Sequence, residues 1–129
     1  MAKRVLIVED EPEIQEIERM VMEDLLGCEV VIASTGEEAL DKAAKETPDL
    51  VVLDLLLPGM DGFTVASRIR TQPELRNTRI LALSGLTRNE DKERARSAGC
   101  DEVLDKPFDL DELVKKVEKL VGSCAASGS

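Results

Sequence analysis

Apolar residues recur along this chain in short unbroken runs: VLIV at 5–8, VVIA at 30–33, LVVL at 50–53, ILAL at 80–83 and a weaker VL at 103–104. The runs begin 25, 20, 30 and 23 residues apart. They are too short for helices and lack polar–apolar alternation, so they predict strands buried on both faces. Between them the spacing becomes helical. Ile14, Ile17, Val21 and Leu25 predict a first helix, opened by Pro12 and closed by Gly27. Ala39, Leu40, Ala43 and Ala44 predict a second, and Val65, Ala66 and Ile69 a third. A fourth, near 88–98, has only Ala95 and Ala98 to bury among seven charged residues, which predicts a weakly held helix. The fifth is strongly amphipathic, through Leu110, Leu113, Val114, Val117, Leu120 and Val121. Strand–helix alternation predicts one α/β domain over residues 1–121, a doubly wound five-stranded parallel sheet with right-handed crossovers. The small, polar stretch 122–129 reads as a flexible tail.

Composition narrows the range of partners. Of 129 residues, 27 are acidic, 17 basic and none histidine, a net charge of −10. That balance argues against direct nucleic-acid binding, and with Phe63 and Phe108 as the sole aromatics there is no base-stacking platform. No apolar run approaches the ~20 residues of a membrane span, and the start, MAKRVLIVEDE, does not read as a secretory signal. Cys28, Cys100 and Cys124 are odd in number, far apart and without a C-x-x-C; with no histidine, a Cys/His zinc site is excluded. They are expected as small buried or tolerated residues in a reducing, cytoplasmic setting.

Polar residues then collect at the strand ends. The first run is followed by Glu9-Asp10, the third by Asp54, the fourth by Ser84-Gly85 and the fifth by Asp105-Lys106-Pro107. Open parallel sheets bind ligands beyond the carboxyl ends of their strands. Carboxylates crowded there repel one another, and a hard divalent cation such as magnesium relieves the repulsion with oxygen ligands. The same charge suits an incoming phosphoryl group, with Lys106 as a second positive charge, Ser84 as a hydroxyl donor and a carboxylate as acceptor.

These stretches resemble the receiver domain of two-component response regulators, the chemotaxis-regulator-like module of phosphorelays. The likeness covers about residues 3–121 and rests on VLIVEDEP (5–12), DLLLPGMDG (54–62), LALSG (81–85) and DEVLDKPFDLDEL (101–113). It implies the strand order 2-1-3-4-5 of a flavodoxin-like (βα)5 sandwich, and a cis Lys106–Pro107 bond. It implies that Asp54 is the phosphoacceptor, assisted by Lys106 and Ser84. Glu9, Asp10, Asp54 and the Leu56 carbonyl would hold magnesium, or manganese in its place. Ser84, Val103 and Pro107 would belong to the switch and output region. The partners implied are a histidine kinase, a phosphotransfer protein or a small phosphodonor, and a downstream target or output domain. The chain would catalyse only its own phosphorylation and dephosphorylation.

Two departures stand out. Glu9 replaces the first of a frequent aspartate pair, and its longer arm still reaches. Val103 stands where the family commonly has Tyr or Phe, so an aromatic swing coupled to Ser84 is ruled out. The expected output face is the fourth helix, fifth strand and fifth helix, biased through the Leu86–Asn89 loop. With apolar Leu56 and Leu86 beside the site, self-dephosphorylation is expected to be slow. The rival readings are a constitutive unphosphorylated docking module, an aspartyl-nucleophile phosphohydrolase and a flavodoxin-like cofactor protein. The phosphohydrolase needs an acid where Leu56 stands, and the cofactor protein needs aromatic rings to sandwich a flavin. With no output domain after the fifth helix, both a stand-alone regulator and a receiver cut from something longer fit.

Overall fold

The computed structural model describes residues 2–86 and 88–122. Five strands, β1 (Arg4–Val8), β2 (Glu29–Ala33), β3 (Leu50–Asp54), β4 (Arg79–Ser84) and β5 (Glu102–Asp105), alternate with five helices. The helices are α1 (Pro12–Met20), α2 (Gly36–Glu46), α3 (Gly62–Arg70), α4 (Asn89–Ser97) and α5 (Leu110–Val121). Every strand pairing is parallel, in the order β2-β1-β3-β4-β5. This is the flavodoxin-like order that the resemblance implies. It sets β1 beside β3 at the centre, where successive crossovers diverge and leave a crevice at the strands' carboxyl ends.

Alternate residues of the central strands feed two cores. Leu6, Val8, Val51 and Leu53 pack with Ala39 and Ala43 of α2, Phe63, Val65 and Ile69 of α3, and Ala95 of α4. Val5, Ile7, Leu50 and Val52 pack on the other face with Val21, Met22, and Leu113 and Val117 of α5. β3 is buried at all five positions, the physical reason for its unbroken apolar run. Cys28 and Cys100 are buried, and Cys124 lies outside the described residues. No helix among the described residues is long and apolar enough to cross a membrane.

The first helix departs from its expected stripe. After Met20 the chain widens into a π-helical turn, Val21–Leu25, before Gly27 turns out with φ +71°. The wider turn rotates the side chains that follow. Met22 therefore joins Val21 in the core and Leu25 is left 60% exposed; Ile17, which precedes the π-helical turn, is 40% exposed. The sheet-facing place between Ile14 and Val21 is taken by Glu18, which is fully buried. Ala44 and Leu110, also expected in apolar stripes, are exposed.

α4 is held as lightly as its composition predicts. Ala95 is its buried residue, supported by a Lys92–Asp105 ion pair at 3.1 Å and by Arg94 stacked 4.0 Å above the Phe63 ring.

Candidate functional site

The chain-end register of β1, β3 and β5 builds the site. Glu9 extends the β1 ladder by one bond, its N–H donating to the Ala33 carbonyl at 3.1 Å, so its side chain is delivered into the crevice and fully buried. The Gln15 amide, from the first turns of α1, donates to the Glu9 carbonyl and ties helix to strand. Asp10, next in the chain, is exposed at the rim. Asp54 closes β3 and is 4% exposed. Its Oδ1 accepts from the Leu56 N–H at 3.0 Å. Lys106 follows β5, anchored by its N–H to the Ser84 carbonyl at 2.8 Å and by a cis bond to Pro107.

Lys106 Nζ lies 3.3 Å from Glu9 Oε1 and 3.3 Å from Asp54 Oδ2, so one ammonium bridges two buried carboxylates. Glu9 Oε2 accepts from the Glu11 N–H at 3.3 Å. One carboxylate oxygen each from Glu9, Asp10 and Asp54 lies within 4.8 Å of the others. Three acids from two adjacent strands thus share a space that a single hard cation would fill.

The electrostatics carry the same message. Burial, and after it the Asp54 charge, push the Glu9 carboxyl up to about 7, against the pull of Lys106. Burial alone would lower the Lys106 ammonium, but the charges of Asp54 and Glu9 outweigh it and hold it above its ordinary range. The pocket therefore carries more acid than one lysine can neutralise, and an all-oxygen donor set fits magnesium. A cation must displace the Glu9 proton, so its affinity is expected to rise by up to about tenfold per pH unit below about 7 and to level off between about 7 and 8. Calorimetric titration with Mg²⁺ between pH 6 and 8 measures this; equal affinity at both ends contradicts it.

The other expected residues are placed as follows. Ser84, 1% exposed at the end of β4, exchanges hydrogen bonds with Leu86: its hydroxyl donates to the Leu86 carbonyl at 3.2 Å and accepts from the Leu86 N–H at 2.9 Å. It serves as a local turn cap. Val103, on β5, packs half-buried against the core beneath α4. Pro107 leads into Phe108, which packs on the α5 side. Asp105 turns away to Lys92. Leu56 is 57% exposed beside Asp54, and Leu86 is half-buried. Thr87, in the loop expected to move, lies outside the described residues.

Sequence reasoning missed two features. One is Glu18, whose spacing of four from Ile14 and three to Val21 put it on the buried face. The other is a groove of about 520 Å³ where Ile14 and Ile17 of α1 face Pro107, Phe108 and Leu110, with Lys106 at its edge.

The family model of the response regulator receiver domain matches residues 5–118. The transcriptional regulator RpaA of Synechocystis is 36% identical over 118 residues, which are 92% of this chain and 48% of that protein; the chain spans about half its length. The polar-differentiation response regulator DivK of Brucella ovis is 31% identical over 95% of this chain and 98% of its own. Among solved structures, the chemotaxis protein CheY4 of Vibrio cholerae superposes with a TM-score of 0.89, at 32% identity over 94% of this chain and all of that one. The receiver domain of a sensor histidine kinase from Pseudomonas aeruginosa, solved with magnesium in its active-site cleft, superposes at 0.85, at 30% identity over 95% of this chain and all of that one.

Proposed function

The chain belongs to the response regulator receiver family, whose members are phosphorylation switches rather than classical enzymes, and from that premise we propose that Asp54 accepts the phosphoryl group. The observation that carries this reading is the Lys106 ammonium 3.3 Å from Asp54 Oδ2, with Glu9 and Asp10 converging on the same carboxylate. The side chains of Glu9, Asp10 and Asp54 and the carbonyl of Leu56 would hold magnesium, or manganese. Bound there, the cation supplies positive charge for the phosphoryl oxygens.

An Asp54 carboxylate oxygen attacks phosphorus in line with the bond that breaks, to a donor histidine nitrogen or to the oxygen of a small phosphodonor such as acetyl phosphate. Lys106 leaves its carboxylate partners for a phosphoryl oxygen. Ser84 gives up the Leu86 carbonyl and donates to another. That exchange pulls on the β4–α4 connection, and α4, with its sparse apolar anchoring, is the element least able to resist. The output face is α4, β5 and α5, with Val103 transmitting by packing where an aromatic residue would swing.

The groove lined by Ile14, Ile17, Phe108 and Leu110 suits an apolar helix face of a histidine kinase or phosphotransfer protein, which brings its phosphohistidine over Asp54. A downstream target or a linked output domain reads the switched face. The setting is the cytoplasm, where such donors work. The exposed apolar Leu56 stands where an aspartyl phosphohydrolase would need its second acid.

Acetyl phosphate treatment tests this reading. The intact mass is expected to gain one phosphoryl group with Mg²⁺ and none with EDTA; a gain independent of the cation overturns it. Leu56 and Leu86 cannot orient water, so decay of the acyl phosphate is expected to be slow. Leu56→Glu or Leu86→Glu is expected to change the decay rate by about tenfold, read as phosphate release; an unchanged rate removes that explanation.

A further inference from the structure

Glu18 occupies a place that packing alone would give to leucine or valine. It lies on the sheet-facing side of α1, fully buried, between Ile14 and the buried pair Val21 and Met22. Both of its carboxylate oxygens are buried without a hydrogen-bond partner among the described residues. An isolated ionised carboxylate is costly in such surroundings, so Glu18 holds its proton. The charged groups that act on it are Glu9 from β1, Asp54 from β3 and Lys106 after β5. These are the groups that build the candidate cation site.

We propose that Glu18 is a positioning residue for cation loading: a fully buried, unpartnered acid on α1 that carries a proton in the cation-free pocket and gives it up as positive charge enters. This rests on the reading that Glu9, Asp10 and Asp54 hold the cation. Burial, then the charge of Glu9 and that of Asp54, oppose ionisation of Glu18 and push its carboxyl up to about 9, while Lys106 favours ionisation. A cation on Glu9 and Asp54 neutralises the two opposing charges. Ionised Glu18 in turn adds a negative charge near the site, and the coupling is reciprocal: what eases its ionisation also tightens the cation. Retention of an acid at a stability cost, next to the functional pocket, fits a role in the site better than a role in the core.

The test is Mg²⁺ affinity against pH, by calorimetry on the full chain, for wild type, Glu18→Gln and Glu18→Leu. Below about pH 8 all three follow Glu9. From about pH 8 to 9 wild-type affinity is expected to rise a further several-fold, while both variants stay flat. Lys106 remains charged throughout. Glu18→Leu also raises the melting temperature of the cation-free chain, since it removes the unpartnered acid, and this shows that the variant folds. A merely structural Glu18 would shift stability and leave the affinity profile unmoved. Variant profiles parallel to wild type overturn the role of Glu18 alone. A wild type that binds no Mg²⁺ at any pH overturns the cation site itself.

Discussion

An Asp54→Ala chain is expected to take up no phosphoryl group from acetyl phosphate under conditions that modify the wild type, a loss of at least about a thousandfold in rate. The reason is geometric. Four acids lie at or near the carboxyl edge of the sheet, but their surroundings differ. Asp105 is committed to Lys92 on the flank of α4. Glu9 is fully buried, with one oxygen on Lys106 and the other on the Glu11 N–H. Asp10 sits at the exposed rim. Asp54 alone closes a central strand with both oxygens held and 4% of its surface open, Oδ1 fixed by the Leu56 N–H and Oδ2 by the Lys106 ammonium. A nucleophile held this way needs little reorganisation to reach phosphorus. Intact-mass spectrometry reads the outcome, and full modification of the variant would transfer the acceptor role to another side chain.

Gly62→Ala is expected to lower stability by on the order of 2–3 kcal/mol and to slow phosphorylation as well. Gly62 opens α3 at the point where the helix meets the end of β3, and its N–H donates to the Leu55 carbonyl at 3.1 Å. A methyl group there would sit 2.5 Å from the Leu55 Cα and 2.7 Å from the Asp54 carbonyl oxygen, both backbone atoms with nowhere to go. Either α3 backs off the sheet, loosening Phe63 and Val65 from their core, or the Asp54–Leu56 loop shifts and disturbs the acceptor. Urea unfolding measures the first effect as a lower midpoint at unchanged slope. A midpoint equal to wild type would mean that the close approach is not a constraint.

The parts of this structure that were legible in the sequence are those where one physical rule dominates. Central parallel strands bury both faces, so LVVL at 50–53 and ILAL at 80–83 stand out as apolar runs. Strand ends in an open sheet face a crevice, so Glu9, Asp10, Asp54 and Lys106 were read as neighbours across nearly a hundred residues. The order of the strands was not in the pattern, because the spacing of runs says nothing about which strands pair; it came with the family resemblance. The register of α1 was lost because a π-helical turn adds a residue that a 3.6-residue period cannot register. Leu25 therefore went into the stripe in place of Met22, and Glu18 was passed over although Ile14, Glu18 and Val21 follow the spacing of a buried face. The hydrogen bonds that Ser84 exchanges with Leu86 were not legible either, since a short polar side chain takes the nearest backbone partner.

Asp54, and not another acid of the cluster, is proposed to carry phosphorus as an acyl phosphate when a divalent cation occupies the pocket. Borohydride reduction after acetyl phosphate treatment tests it most directly, because an acyl phosphate of aspartate is reduced to homoserine, which peptide sequencing locates. Homoserine is expected at position 54 alone and only in samples with Mg²⁺. Reduction products at positions 9 or 10, or none despite Mg²⁺, would contradict the assignment.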